Sequence, residues 1–345
     1  MTGIPGCITR MHARCLRASR ALACASLLSG ALLARQGGPA PPDGCARACL
    51  EQIARAYWGA LLAHDPARLP HAAHVAFTEN NVRLTIGRGL WQTVSGVGPA
   101  DLVFVDASRG EVATTAQVSE GPQAALLLAR LKVLQRRVIA LETIVARRET
   151  TTFLRPEAWH DSAPVLMADL PPYARRTREA LVQIAQSYFD RLPDSSRPLP
   201  SLDPRCNRVE NGVRTTNNPD PFPGVTPAPL NPAVSRLSCA QQFATQGLSF
   251  VTRVRDRRYP LVDVDKGLVL AAVIFDHDGT APSAPGSTLK LSSPLPSPYS
   301  YAVAELFKIA DQGIIQVQAL FCLLPYGMPS AWPAPNPSTT RPAAE

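Results

Sequence analysis

Lysine, long apolar runs and the common catalytic motifs are all scarce in this sequence of 345 residues. Only four lysines are present, and the more numerous arginines are spread along the chain rather than gathered into a basic stripe. No aromatic platform or nucleic-acid-binding motif accompanies them. The formal net charge of +8 therefore predicts a solvated surface and no nucleic-acid partner.

Motifs that hold cofactors are also missing. The sequence has no Walker-type loop, no dinucleotide-binding glycine fingerprint and no nucleophile elbow. Cys45 and Cys49 have no histidine or second cysteine pair at zinc spacing, so no metal site is expected. These absences predict a protein that works without cofactor or metal.

The N-terminal segment has the pattern of a signal peptide. Arginines precede an apolar stretch at 21–34 that is too short to span a bilayer, and no later stretch is long enough. We expect a signal peptide at 1–34, a flexible linker at 35–45, a secreted or periplasmic location and no other membrane contact. The alternative is a signal anchor or a misassigned start codon.

Cysteine usage agrees with export. Without the leader five cysteines remain, an odd number, so one thiol must stay free or pair between chains. Cys206 and Cys239 flank a proline-rich segment, and a disulfide between them is predicted to stabilise the fold by roughly 3 to 4 kcal/mol. The state of Cys45, Cys49 and Cys322 stays open.

An internal repeat is the strongest signal in the sequence. Its first block aligns 50–85 with 181–216 without a gap and gives eleven identities in thirty-six positions, including Tyr57 with Tyr188. Chance would give about two or three. A middle block aligns 105–112 with 262–269, and a last block aligns 132–139 with 308–315. The separation between the copies widens from block to block, so the second copy has gained two insertions, at 217–239 and 277–299.

Each copy predicts helices followed by β-hairpins, an α+β fold in which helices cover one face of a curved antiparallel sheet. In the first copy we expect a long helix around Tyr57 and a short helix at 66–74. The predicted strands of that copy are 82–86, 101–107, 111–119, 124–134 and 138–148. The predicted domains are a first module at 46–150, a linker at 151–177, a second module at 178–328 and a disordered tail at 329–345.

This order of elements resembles the nuclear transport factor 2-like superfamily, which includes SnoaL-like cyclases and scytalone dehydratase-like enzymes. The resemblance rests on Tyr57-Trp58 and Tyr188-Phe189 in the first helices and on the closing hairpins. The chain is also similar to uncharacterised secreted fungal and bacterial proteins with a Phe-Thr-Glu-Asn segment, here 77–80, and a Leu-Pro-Tyr-Gly end, here 324–327. The resemblance implies two cystatin-like modules, each a cone around an apolar pocket. Such pockets host proton-transfer chemistry in some members and only binding in others.

Glu79-Asn80 and Glu210-Asn211 are candidate site residues, because both copies keep them where the helices meet the first strand. A carboxylate can accept a proton while a neighbouring amide holds a carbonyl, as enolisation or dehydration requires. The alternative is structural, because such side chains also cap helices and turns. Their presence in both copies favours the structural interpretation.

His71 is a candidate acid or base because the second copy has no histidine at the corresponding position. If it is catalytic, His71→Ala is expected to lower turnover by roughly 10². Arg258 lies near Asp263 and Asp265, so these charges either line the mouth of a pocket or pair on the surface. Asp106 and Asp263 precede glycine turns, and turn formation accounts for them.

The sequence thus predicts an exported protein that binds a small apolar or aromatic organic compound and acts on it by lyase, isomerase or hydrolase chemistry. The candidate catalytic residues are His71, Glu79, Asn80, Glu210, Asn211 and Arg258. The alternative is a non-catalytic ligand-binding or structural secreted protein. Substrate, active module and oligomeric state stay open.

Overall fold

Two mixed β-sheets dominate the protein. The computed structural model describes residues 44–100, 102–224, 231–280, 295 and 297–332. The predicted signal peptide, the predicted linker up to residue 43, most of the predicted insertion at 277–299 and residues 333–345 lie outside the described residues. Within the described ranges, every helix is too short or too polar to cross a membrane.

The first module covers a seven-stranded sheet with one long helix, α1 (Arg47–Leu62), and a short helix, α2 (Leu90–Thr93). Its strands are β1 (His71–Glu79), β2 (Val82–Leu84), β3 (Gly96–Val97), β4 (Leu102–Asp106), β5 (Glu111–Glu120), β6 (Gln123–Leu134) and β7 (Arg137–Ala146). They pair in the order β2-β1-β7-β6-β5-β3, and β4 also pairs with β5.

The second module follows a linker that contains helix α3 (Ala163–Met167). Its helices are α4 (Arg178–Arg191), α5 (Pro232–Ser235) and α6 (Cys239–Ala244). Its strands are β8 (Leu202–Glu210), β9 (Val213–Arg214), β10 (Arg253–Asp263), β11 (Leu268–His277), β12 (Tyr299–Ala310) and β13 (Gly313–Leu324). They pair in the order β10-β11-β12-β13-β8-β9. Read from β9, this order repeats that of the first sheet read from β2.

The pairing registers show which positions of the two modules correspond. In the first sheet Ala129 of β6 pairs with Thr143 of β7, and in the second Glu305 of β12 pairs with Ala319 of β13. The chain separation from Ala129 to Glu305 equals that from Thr143 to Ala319. It is also the separation between the two copies in the last block of the sequence repeat. The displacement of the first block likewise carries β1 onto β8, whose pairing with β13 repeats that of β1 with β7. The repeat therefore extends to individual strand pairs.

The sheets are mixed, so the expectation of purely antiparallel sheets is wrong. Strand β1 runs parallel to β7, and β8 runs parallel to β13, whereas the other pairs are antiparallel. Each parallel pair joins the first long strand of a module to its last strand. Such a pairing spans the whole module and leaves no trace in a local pattern.

The helix expected at 66–74 is also wrong. The chain makes only a short 3₁₀ turn at Pro66–Arg68, and β1 begins at His71. Pro70 cannot donate a backbone hydrogen bond, and it restricts Leu69 to an extended conformation, with φ −92° and ψ 128°. The helix therefore cannot pass this point.

Each sheet has an inner face under its long helix and an outer face against the other module. In β12, Tyr301, Val303 and Phe307 pack into the core under α4. The alternate residues Ala302, Ala304 and Leu306 pack into a core shared with outer-face residues of the first module. Because side chains alternate along a strand, each other residue of β12 can be assigned to one of these two faces from its position in the strand.

Two reciprocal contacts join the modules. Asp106 accepts a hydrogen bond from Val262 N at 3.0 Å and pairs with Arg178, the first residue of α4. Asp263 accepts one from Val105 N at 3.1 Å and pairs with Arg47, the first residue of α1, at 2.8 Å. The two contacts are related as in a two-fold dimer. Turn formation therefore does not fully explain Asp106 and Asp263, because both also bind the other module.

The structure confirms the disulfide between Cys206 and Cys239. It also joins Cys45 to Cys49 and leaves Cys322 as a buried free thiol. The first bond ties β8 to α6, so it fixes the end of the insertion at 217–239 to the sheet.

Candidate functional site

The two shared asparagines hold backbone in the same way. Asn80 has φ 50°, donates to Val145 O at 3.0 Å and accepts from Val145 N at 2.7 Å. Asn211 has φ 46°, donates to Phe321 O at 3.2 Å and accepts from Phe321 N at 3.0 Å. Asparagine tolerates this left-handed conformation, and its amide here replaces a missing strand partner. These contacts give both asparagines a structural task.

The two shared glutamates have different partners. Glu79 accepts from Leu90 N at 2.8 Å, at the start of α2, and from Arg147 at 3.2 Å. Glu210 pairs with Arg208 at 2.5 Å. Glu79 therefore caps a helix in the first module, whereas Glu210 belongs to a buried polar cluster in the second.

The structure does not bring the other predicted site residues together. His71 lies at the opposite end of β1 from Glu79, about 25 Å along an extended strand of that length. Nδ1 of its ring lies 2.6 Å from the carbonyl oxygen of the neighbouring Ala72. Arg258 lies between the modules and pairs with Glu142 at 2.5 Å.

A buried polar cluster lies instead on the inner face of the second sheet. Arg208 of β8 is 3% exposed, Glu305 of β12 is 1% exposed, and Tyr188 of α4 is fully buried. Arg208 donates to Glu210 and, at 2.9 Å, to Oε1 of Gln242 in α6. Its guanidinium carbon lies 6.0 Å from the centre of the Tyr188 ring. We call Tyr188, Arg208, Glu210, Gln242 and Glu305 the inner cluster.

Burial controls the ionisation of the inner cluster. Loss of solvent is the main cause that raises the pKa of Glu305 to about 8; Arg208 opposes the rise, and Glu210 contributes to it. Burial also raises the pKa of Tyr188 well above its usual range. At neutral pH, Glu305 is therefore mainly protonated and Tyr188 keeps its hydroxyl proton.

Three polar atoms of the inner cluster have no hydrogen-bond partner among the described residues: the Tyr188 hydroxyl, Nε of Arg208 and Oε2 of Glu305. Tyr188 and Glu305 lie close enough to influence each other's pKa. When Glu305 is protonated, all three groups can donate. The arrangement therefore offers three hydrogen-bond donors close together.

Aromatic side chains line the same inner face toward the start of β12. The ring of His277 stacks on Tyr299 at 4.4 Å and on Phe250 at 5.4 Å between centres. His277 donates a hydrogen bond from Nδ1 to Phe250 O at 2.9 Å, and burial lowers its pKa to about 4, so the ring is neutral. This end of the face is apolar and aromatic.

Tyr188 and Glu210 of the inner cluster have counterparts in Tyr57 and Glu79, but Arg208 and Glu305 have no charged counterpart in the first module. The positions equivalent to Arg208 and Glu305 are Phe77 and Ala129, both in the apolar core of that module. The sequence held this signal, because the repeat aligns an apolar pair with a charged pair. Strand alternation also puts Glu305 in the inner row with Val303 and Phe307. The residues that the two copies share do not include this pair.

Metal ligands do not gather in the described ranges. No group of three or more histidine, cysteine or acidic side chains among those residues could hold an ion. The chemistry of the inner cluster is that of proton donors and one guanidinium.

One comparison with known proteins covers the second module. A family model described as a domain of unknown function (DUF8021) matches residues 174–321. The match begins just before α4 and ends in β13, so it includes the whole inner cluster. No curated protein matches the chain significantly.

Proposed function

We propose that the second module binds a small, largely apolar organic compound inside a nuclear transport factor 2-like cone and that Glu305 exchanges a proton with it. The observation that carries the proposal is the open Oε2 of Glu305 beside the free Nε of Arg208 and the Tyr188 hydroxyl. The aromatic surroundings favour an apolar ligand. The converging donors favour one that carries a carbonyl or phenolic oxygen.

Each side chain has a role in the proposed chemistry. Ionised Glu305 takes a proton from the carbon beside a carbonyl group, and the electron pair moves to the carbonyl oxygen. Arg208 and Tyr188 donate hydrogen bonds to that oxygen and stabilise its negative charge in a site without bulk water. Protonated Glu305 then returns the proton to the same carbon, which gives hydrogen exchange or epimerisation, to another carbon, which gives isomerisation, or to a leaving hydroxyl, which gives elimination.

The compartment is part of the proposal. Two disulfides among the described cysteines are compatible with an extracellular or periplasmic protein. We infer export from this compatibility together with the N-terminal sequence pattern.

The experiment measures deuterium uptake from D₂O into the benzylic carbon of phenylacetone, followed by NMR. Wild-type protein is expected to accelerate uptake, with a rate that rises as Glu305 ionises near pH 8. Glu305→Gln should lower the rate by roughly 10² or more. Glu79→Gln is the matched control, because it removes a second buried carboxylate without touching the inner cluster.

The outcomes separate the alternatives. Equal rates for wild type and Glu305→Gln would exclude Glu305 as the base. Binding of phenylacetone without deuterium uptake would favour a ligand-binding protein without turnover. Failure to bind any member of a panel of small aryl ketones and phenols would contradict the proposed ligand class.

A further inference from the structure

The segment 329–332 leaves the second module and lies against the first, although it falls in the predicted disordered tail. Asn81 donates to Pro329 O at 2.9 Å and accepts from Ala331 N at 2.7 Å. Arg83 donates to Ala331 O at 2.5 Å, and Asp256 accepts from Ser330 N at 3.0 Å. Side chains of both modules thus bind the backbone of this segment.

The Trp332 ring occupies a formed slot. Its Nε1 donates to Oγ1 of buried Thr78 at 2.9 Å. The guanidinium carbons of Arg130 and Arg258 lie 5.6 and 5.9 Å from the ring centre, within cation–π range. Glu142 pairs with both arginines, at 3.3 and 2.5 Å, and so holds them beside the slot.

The segment fills this site almost completely. The cavity left beside Ser330, between Arg130, Glu142 and Arg258, measures about 30 Å³, room for only a few water molecules. Recognition depends on backbone groups and one aromatic ring, and none of these contacts needs the segment to be joined to β13. An extended peptide with tryptophan at the same place presents the same groups.

We propose that the cleft between the modules is a peptide-binding site, that residues 329–332 fill it as a built-in ligand, and that its partner is an extended peptide carrying a tryptophan. Asn81 and Asp256 bind the backbone of the peptide. Thr78, Arg130 and Arg258 select the indole ring, because it offers both an N–H donor and an aromatic face.

The built-in segment controls access to this site. It is joined to β13 by the short stretch after Leu324, which holds it near the cleft at an effective concentration in the millimolar range. A peptide with micromolar affinity in solution therefore cannot compete until the segment is displaced or removed.

The test uses fluorescence polarisation with a fluorescein-labelled peptide of sequence MPSAWP, copied from residues 328–333. Protein lacking residues 329–345 is expected to bind it at least 100-fold more tightly than the full chain. A peptide with alanine in place of tryptophan should bind the truncated protein at least 10-fold more weakly, because the ring is the main specificity contact. Unchanged far-UV circular dichroism and both disulfides establish that the truncated protein is folded. A folded protein that binds neither peptide, or both equally, would overturn the proposal.

The full-length variant Trp332→Ala gives an independent test that keeps the rest of the chain. Free indole should bind the vacated slot, so it is expected to raise the melting temperature of Trp332→Ala by several degrees and leave that of wild type unchanged. Adding Thr78→Val, which removes the acceptor for the indole N–H, should weaken this rescue. An indole effect of equal size on wild type and Trp332→Ala would refute the slot.

Discussion

Glutamine in place of Glu305 isolates the ionisation of one buried carboxyl group. Burial raises the folded-state pKa of Glu305 from 4.5 to about 8. Between these two values the folded protein holds a proton that the unfolded chain has released. The contribution of Glu305 to stability is thus fully present below pH 4.5 and is lost as the pH rises through 8.

The size of the effect follows from linkage. Each unit of pKa shift corresponds to about 1.4 kcal/mol. The wild type should therefore lose about 4 kcal/mol of unfolding free energy between pH 5 and pH 9 that Glu305→Gln does not lose. Glutamine has the shape of the protonated acid, so the two proteins should be similarly stable at pH 5, and the variant should be the more stable one at pH 9.

Urea unfolding at a series of pH values, followed by circular dichroism, measures this difference. Arg208, Glu210, Tyr188 and the other ionisable groups are present in both proteins, so the difference between the curves reports Glu305 together with its coupling to them. Parallel curves from pH 5 to pH 9 would refute the reasoning, since they would mean that Glu305 has the same charge in the folded and unfolded protein.

Two further predictions concern the frame that carries the inner cluster. Asn211→Ala should lower the unfolding free energy by about 3 kcal/mol, from lost hydrogen bonds to Phe321 and from alanine at a positive φ, and a loss below about 1 kcal/mol in urea unfolding would contradict its structural task. Double-mutant cycles of Asp263→Asn with Arg47→Ala, and of Asp106→Asn with Arg178→Ala, should each give a coupling of about 1 to 2 kcal/mol, and strongly unequal couplings would contradict the two-fold relation.

Local patterns predicted most strands well. The strands expected at 111–119, 124–134 and 138–148 lie within two residues of β5, β6 and β7. Their alternation and their turns are properties of neighbouring residues. The parallel pairing of β1 with β7 was missed, because it joins segments more than sixty residues apart. The helix expected at 66–74 does not form, because Pro70 interrupts it despite the spacing of small and apolar residues around it.

The candidate site was harder to predict than the fold. Glu79 and Asn80 attracted attention because both copies keep them, but the duplicated residues serve the duplicated frame, as their backbone contacts show. The contacts that define the inner cluster join α4, β8, α6 and β12 across more than one hundred residues. Strand alternation places Glu305 on the inner face, but the convergence of such distant residues cannot be derived from spacing.

The two copies differ in an informative way at two positions, where the first has Phe77 and Ala129 and the second has Arg208 and Glu305. Phenylalanine and alanine complete an apolar core, whereas a buried arginine and glutamate each lose solvation that their partners only partly restore. A second module maintained only for stability has no reason to carry this polar pair with Nε of Arg208 and Oε2 of Glu305 left open. The first module keeps the apolar version, and the reciprocal contacts of Asp106 and Asp263 tie it to its sister. Under the proposed function, stability and chemistry reside in different copies of one fold, and the inner cluster of the second copy binds the ligand.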